Sequence, residues 1–323
     1  MSSPLAAAPR AVVSDADRRL AIPARPGPLA RPTRGLRAHL QPAVLFLLPS
    51  GLILGIFVIY PIFQSLWMSL HEWRIGAETQ RWVGLGNYTR LLADPQFANA
   101  LGVTLAFTVV SVVVLLVLGF ALAYWLQRTT TLSKVLRSAY FFPTIVALAT
   151  IGLVWRFMLD PDIGLVGGLT ERLGLEPVAW LRETSLALPT VITVGIWKTL
   201  GFTMILMLAG LQGVPEQLYE AARLDGAGTL KTIRYVTLPA IRPTFLFAAV
   251  ILTIQSLQMF DLIFAMTAGG PLFTTETLVT FMYRQAFTNF DFGYASAIAW
   301  SLFVIIIAFS ALQLRLFRYQ DVD

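Results

Sequence analysis

The sequence predicts an all-α membrane protein with six transmembrane helices and both termini in the cytoplasm. Of its 323 residues, 56% are hydrophobic and only 13% are charged, whereas soluble domains are typically about 45–50% apolar and about 25% charged. Six apolar stretches each exceed the roughly 20 residues that a helix needs to cross about 30 Å of hydrocarbon. Basic residues gather in alternate connecting segments, which the positive-inside rule assigns to the cytoplasm.

The N-terminal segment, residues 1–41, differs from the rest of the chain. It holds six prolines and seven arginines and has no apolar core of signal-peptide type. Such a segment buries too little apolar surface to offset the entropy lost on ordering. We therefore expect a disordered cytoplasmic tail, with a regulatory or lipid-headgroup-binding arm as the alternative.

The predicted transmembrane domain covers residues 42–318. Its six spans have the approximate bounds 42–70, 100–126, 138–159, 185–212, 243–267 and 292–314. The third span contains Arg156, the fourth Lys198 and the fifth Asp261, while the other three contain no charge. Residues 319–323 form a predicted cytoplasmic C-terminus.

The orientation follows from the basic residues beside the spans. The segment after span two holds three of them and the segment after span four holds four: Arg128, Lys134, Arg137, Arg223, Lys231, Arg234 and Arg242. The segments after spans one, three and five are poorer in Lys and Arg for their length, so we expect them to face outward. The net charge of +6 is explained by this topology and does not predict nucleic-acid binding.

Several kinds of chemistry are not expected on this chain. It has no cysteine, and its two histidines, His39 and His71, are isolated in the sequence. Neither a catalytic residue nor a metal site is therefore predicted. The phosphate-binding pattern GxxxxGK[ST] does not occur either. We predict no cofactor on this chain.

The segment between spans four and five, residues 213–242, is the most informative. Its composition predicts one short helix before Gly226 and Gly228, whose positive φ angles break it. A second helix is expected from Thr229 to Thr237, ending at Leu238-Pro239. An alanine-rich amphipathic projection of this kind favours docking into a groove of a soluble partner. A helix lying on lipid headgroups is the alternative.

Residues of this segment resemble the EAA motif of ABC importer permeases. The motif residues are Glu220, Ala221, Ala222, Asp225, Gly226, Ala227, Leu238 and Pro239. Further stretches resemble the carbohydrate-uptake branch, which includes the maltose/oligosaccharide and glycerol-3-phosphate permeases. They include Gly84-Leu85-Gly86-Asn87-Tyr88, Trp197-Lys198, Phe260-Asp261-Leu262-Ile263, Gly269-Gly270-Pro271 and Gly293-Tyr294-Ala295. The resemblance covers about residues 42–318 and implies the type I ABC importer permease fold, with the EAA loop as the helix that couples to an ATPase.

The resemblance also implies partners. These are a second homologous permease chain, two copies of an ABC ATPase subunit that hold ATP and Mg, and an extracytoplasmic solute-binding protein. The complex would lie in the lipid bilayer of a bacterial plasma (inner) membrane and carry an oligo- or disaccharide. Glycerol-3-phosphate or another polyol remains an alternative cargo. An ion-coupled secondary transporter and a scaffold that transports nothing remain alternative functions.

Polar residues inside the predicted spans indicate a substrate pathway, because such groups are costly unless they face a cavity or a partner. Span four offers Trp197, Lys198, Thr199 and Phe202, and span five offers Gln255, Ser256, Gln258 and Asp261. The three-residue spacing of Gln255, Gln258 and Asp261 places them near one helical face. Amides, hydroxyls and aromatic faces suit a sugar. Alternatively, Lys198 and Asp261 pair with each other inside the bundle.

Overall fold

The computed structural model describes residues 47–74, 76 and 80–318. The predicted tail, the first residues of the first predicted span and the predicted C-terminus lie outside the described residues. Internal contacts divide the chain into two units, with the boundary between Ile59 and Tyr60. The described part of the first unit is helical, and its last turn, Gly55–Ile59, is π-helical.

The described part of the second unit is predominantly helical. In chain order its helices are α1 (Tyr60–Ser69), α2 (Gly86–Ala93), α3 (Pro95–Leu126), α4 (Thr131–Ile145), α5 (Leu148–Met158), α6 (Leu165–Arg172), α7 (Thr184–Gln212), α8 (Glu216–Leu224), α9 (Thr229–Ala240), α10 (Arg242–Leu257), α11 (Asp261–Met266), α12 (Leu278–Phe287) and α13 (Phe292–Arg318).

Besides the predicted helices, the described residues contain a short β-hairpin that was not predicted. Strands β1 (His71–Glu72) and β2 (Arg81–Trp82) pair antiparallel after α1. An ion pair of 2.9 Å between Arg81 and Glu72 joins the two strands on their exposed side. Backbone N–H and C=O groups of the two strands pair with each other and are thereby satisfied. Hydropathy alone does not predict this pairing.

Four helical segments in the described part of the chain are long and apolar enough to cross a membrane. They are Leu47–Ser69, Pro95–Leu126, Thr184–Gln212 and Phe292–Leu316. Two helix pairs also pass this test if each pair counts as one span. These are α4 with α5, bent by 98°, and α9 with α10, bent by 70°. Within the described residues, the number of candidate spans is therefore four to six.

The third and fifth predicted spans are not continuous helices. Between α4 and α5, Val146 and Ala147 are extended, shortly after Pro143, whose ring nitrogen donates no hydrogen bond. The fifth predicted span is interrupted between Leu257 and Asp261. There the carbonyl of Met259 accepts a hydrogen bond of 3.1 Å from the hydroxyl of Thr277. The carbonyl of Met259 thus has a tertiary hydrogen bond in place of a helical one. The periodicity of the sequence does not show this contact.

Small residues bring the central helices α3, α4 and α7 close together. A Cβ atom added to Gly119 of α3 would lie 2.6 Å from the side chain of Thr203 in α7. One added to Gly201 would lie against the backbone of α4. Apolar side chains, among them Met204 and Met207, fill the core between α3, α7 and α10. Close backbone approach at small residues is the usual way in which helices associate in a bilayer.

A buried carboxylate joins the connections after the first and fifth predicted spans. The side chain of Asp291 is 6% exposed and pairs with Arg74 at 3.1 Å and with Arg90 at 2.7 Å. The hydroxyl of Tyr294 donates to Asp94 at 2.7 Å. These bonds fix the hairpin region, α2 and the start of α13 to one another, so these connections meet at one end of the helices.

Candidate functional site

The segment from residue 213 to 242, called the docking segment below, exposes large apolar side chains. Leu224 is 89% exposed, Leu230 79% and Tyr235 70%. The exposed charges of Glu220 and Lys231 lie on the same segment. Exposed leucines of this size, surrounded by charged groups, are typical of a surface that a protein partner covers.

A Schellman motif ends helix α8 and fixes the turn that follows it. Gly226 has a φ angle of +72°, and its N–H donates to the carbonyl of Arg223 at 3.1 Å. The N–H of Ala227 donates to the carbonyl of Ala222 at 2.9 Å. These two bonds satisfy carbonyls that a helix end otherwise leaves without partners. The predicted positive φ angle at Gly226 is confirmed.

Two details of the predicted docking segment are wrong. Gly228 has a φ angle of −71° and caps the start of α9 in an extended conformation, so it does not break the chain by a positive φ angle. Helix α9 also continues through Leu238 and Pro239 to Ala240. A π-helical turn, Ile233–Thr237, comes directly before this dipeptide. Its wider hydrogen bonding changes the helical register, so Pro239 is accommodated without ending the helix.

The structure places the eight motif residues in different environments. Ala222 is buried at 8% exposure on the inner face of α8. Ala227 and Leu238 are half-buried, whereas the remaining five are exposed: Glu220, Ala221, Asp225, Gly226 and Pro239. The motif thus combines residues that hold the turn together with residues whose side chains are open to a partner.

A cavity of about 380 Å³ lies among the helices α4, α5, α7, α10 and α11. Six of the eight predicted pathway residues line it: Lys198, Thr199, Phe202, Gln255, Gln258 and Asp261. Trp197 instead lines a neighbouring cavity of about 400 Å³, and Ser256 is buried at 5% exposure outside the cavity lining. Six of the ten lining residues thus belong to the predicted pathway set, although the helical face invoked for span five is broken.

Four further residues that line the cavity were not predicted: Thr144, Leu148, Met259 and Phe260. Thr144 and Leu148 flank the break between α4 and α5, and Met259 and Phe260 lie in the break between α10 and α11. The hydroxyl of Thr144 donates to the carbonyl of Lys198 at 3.1 Å and joins two walls of the cavity. Pro143 was the available signal for the first break, and the sequence shows none for the second.

Two helix breaks lie beside the cavity. Helix α4 ends and α5 begins beside it, as do α10 and α11. Helix ends leave backbone groups without intrahelical partners. Irregular backbone at membrane depth is tolerated where it is buried in protein or lines a water-filled cavity. The two helix breaks therefore place irregular backbone beside the cavity.

Lys198 and Asp261 line the same cavity without forming an ion pair. Neither residue takes part in a salt bridge within 4.0 Å among the residues that the structure describes. The predicted alternative, a direct Lys198–Asp261 pair, is therefore not present in this structure. Both charged groups remain available to a ligand or a partner chain.

Within the described ranges, no group of three or more His, Cys, Asp or Glu side chains is placed to hold a metal ion. His71 has a structural environment instead. Its Nδ1 lies 2.7 Å from the carbonyl oxygen of Trp67, and its ring packs against Trp67 and Trp82.

Comparison with known proteins identifies a family and sequence relatives of this chain. Residues 116–321 match the family described as "Binding-protein-dependent transport system inner membrane component". A diacetylchitobiose uptake system permease protein of Streptomyces coelicolor is 37% identical over 306 residues, covering 89% of this chain and 87% of the relative. A trehalose/maltose transport system permease protein of Thermococcus litoralis is 33% identical over 278 residues, covering 85% and 93%.

The fold is shared with a solved transporter chain. In the crystal structure of a bacterial alginate ABC transporter in complex with an alginate pentasaccharide-bound periplasmic protein, one chain matches with a TM-score of 0.76. The match covers 88% of this chain and 95% of the other, at 23% sequence identity.

Proposed function

The chain belongs to the family of binding-protein-dependent transport system inner membrane components, and from this premise we propose that it forms half of the translocation pathway of a sugar importer. Its sequence relatives are named as permease proteins of sugar transport and uptake systems, and a probable ABC transporter permease is among them, so it is a transport subunit and not an enzyme. ATP is hydrolysed on a separate subunit of such a transporter.

The connection between the cavity and the docking segment carries this proposal. Helix α7 lines the cavity at Lys198 and ends at Gln212, where the docking segment begins. Helix α10 begins at Arg242, where that segment ends, and reaches the cavity at Gln255. A displacement of the docking segment therefore acts on two helices that line the cavity. The closed, ATP-bound form of the partner ATPase stabilises one arrangement of these helices if it binds that arrangement more tightly than the other.

The proposed topology has six spans, with both termini and the docking segment in the cytoplasm. The bent pair α4 with α5 then counts as one crossing, and the fifth crossing begins with α10, since α9 belongs to the docking segment. The concentration of Lys and Arg around residues 128–137 and 223–242 supports this orientation. The location that follows is the bacterial plasma membrane.

The proposed assembly contains a second, homologous permease chain, two ATPase subunits that bind ATP and Mg²⁺, and an extracytoplasmic solute-binding protein. The exposed leucines of α8 and α9 supply an apolar surface for an ATPase groove. Gln255, Gln258 and Asp261 are exposed in the isolated chain although they line the cavity. A second permease chain would close the cavity on that side.

The proposed cargo is a di- or oligosaccharide. Amide groups of Gln255 and Gln258, the hydroxyl of Thr199 and the ring of Phe202 line the cavity, and they match the hydroxyls and apolar faces of a sugar. The relatives from Streptomyces coelicolor and Thermococcus litoralis are named for disaccharides. Glycerol-3-phosphate is the second candidate because Lys198, a cation, lines the same cavity.

The test is reconstitution of the whole complex in proteoliposomes, followed by uptake of labelled maltose, trehalose and diacetylchitobiose. We expect uptake of at least one of them that requires ATP on the docking-segment side and the solute-binding protein on the other. Glycerol-3-phosphate is the comparison cargo, and its exclusive uptake would replace the sugar assignment. Sugar uptake by this chain alone, driven by an ion gradient without ATP, would establish a secondary transporter instead.

A further inference from the structure

Five aromatic rings form a continuous row that leads away from the cavity. This row, called the aromatic ladder below, consists of Phe260, Phe264, Tyr283, Phe287 and Phe292. Phe260 and Phe264 stack with ring centroids 5.1 Å apart, and each lies 5.2 Å from Tyr283. Tyr283 lies 4.9 Å from Phe287, and Phe287 lies 6.3 Å from Phe292. All these distances fall in the range of direct ring contact.

The two ends of the ladder have different surroundings. Phe260 lines the cavity together with Gln258 and Asp261. Phe292 is the first residue of α13 and follows Asp291, the carboxylate that joins the connections at one end of the helices. The ladder thus connects the cavity with that end, which the proposed topology places outside the membrane.

Two of the five ladder rings are exposed and the other three are half-buried, unlike the core aromatics beside them. Phe264 is 43% exposed and Phe287 is 59% exposed. On the same helix, α12, Phe281 is fully buried and packs against Tyr294. Helix α12 therefore directs one set of rings into the core and the other set outward. Core packing does not require the outward set.

The ladder is amphipathic rather than purely apolar. The hydroxyl of Tyr283 forms no hydrogen bond with any described residue, and it is not among the buried polar atoms that lack a partner. The end of the ladder at Phe260 lies beside the exposed Gln258 and Asp261, which line the same cavity. Flat apolar faces next to free hydrogen-bonding groups match the two kinds of surface on a pyranose ring.

We propose that the aromatic ladder is a binding track along which the sugar passes between the outer end and the cavity. This inference rests on the proposed function and adds a site outside the cavity. A pyranose stacks its C–H face on one ring after another. Several weak, similar sites in series allow binding and onward movement together. The competing occupant of this face is a helix of the partner permease chain.

The test uses the reconstituted complex and whichever of maltose, trehalose and diacetylchitobiose the wild type takes up fastest. Phe264→Leu keeps an apolar side chain of similar size but removes the aromatic face, whereas Phe264→Tyr keeps the face. Phe303→Leu is the matched control, because Phe303 is 50% exposed on α13 and contacts no ladder ring. One aromatic contact contributes about 0.5–1.5 kcal/mol, so we expect Phe264→Leu to lower kcat/KM for uptake about two- to tenfold. Phe264→Tyr and Phe303→Leu should remain close to wild type.

Each outcome decides between the two occupants. Loss of uptake in Phe264→Leu with normal yield of the complex and normal basal ATP hydrolysis supports the track. Wild-type uptake in Phe264→Leu and in the second variant Phe287→Leu overturns it. A lowered yield of assembled complex in both Leu variants shows that the partner chain covers this face and also overturns it. Failure of the wild type to take up any sugar removes the proposed function itself, which is a distinct result.

Discussion

Replacing Gly226 by alanine isolates the contribution of one turn to coupling. The residue has a φ angle of +72°, and an added Cβ atom would meet no other atom within 4 Å. The cost is therefore backbone strain without a steric clash, about 1–2 kcal/mol for an L-residue in this conformation. That energy corresponds to a factor of about 5–30 in the population of the native turn.

Two further variants make the comparison specific. Gly226→Asn should lie between wild type and Gly226→Ala, since asparagine tolerates the left-handed conformation better. Gly228→Ala is the matched control two residues away. It is also free of neighbours within 4 Å, but its φ angle of −71° suits alanine.

The assay measures sugar uptake and ATP hydrolysis by the reconstituted complex, after normal membrane insertion of each variant has been verified. We expect uptake to fall up to about 5- to 30-fold in Gly226→Ala, less in Gly226→Asn and little in Gly228→Ala. Equal loss in both alanine variants would refute the assignment of the effect to the φ angle. Full uptake by Gly226→Ala would refute the role of the turn.

Three other perturbations test the structure around these sites. Gly201→Ala places a Cβ against the backbone of α4, and the overpacking should cost about 1–3 kcal/mol and lower the Tm of the purified complex. Arg284→Ala leaves the carboxylate of Glu276, 3% exposed, without its ion pair; thermal unfolding should reveal a loss of about 3–5 kcal/mol. The pKa of Asp160 is lowered because the backbone N–H of Asp162 donates to its carboxylate. The protection of the amides in this turn, measured as exchange relative to an unstructured peptide at the same pH, should therefore be greatest above the usual aspartate pKa and be lost as the pH falls through the lowered pKa.

The sequence predicted much of the helix content because hydropathy is a local signal. The uncharged stretch after Ala100 and the stretch from Ser185 to Gln212 correspond to α3 and α7. Helix α3 begins five residues earlier than predicted, because Asp94 accepts a hydrogen bond from the backbone of Gln96 and Pro95 suits the first turn.

Features that depend on distant contacts were not predictable in this way. The break before Asp261 involves a hydrogen bond from Thr277 to the carbonyl of Met259, eighteen residues away in sequence. The hairpin after α1 is joined to the start of α13 through Arg74 and Asp291. Such contacts leave no periodicity in the chain. Polar residue type nevertheless pointed to half of the residues that line the cavity, since a polar group in a membrane helix needs a cavity or a partner.

The most direct test of the account is a cross-link between the docking segment and the ATPase subunit. The chain has no cysteine, so Ala221→Cys introduces a unique thiol on an exposed position of α8. Leu92→Cys, at a position 83% exposed on α2, is the control for the other end of the molecule. In the assembled complex, we expect a thiol cross-link from residue 221 to the ATPase and none from residue 92. A cross-link from residue 92, or none from residue 221 in an active complex, would contradict it.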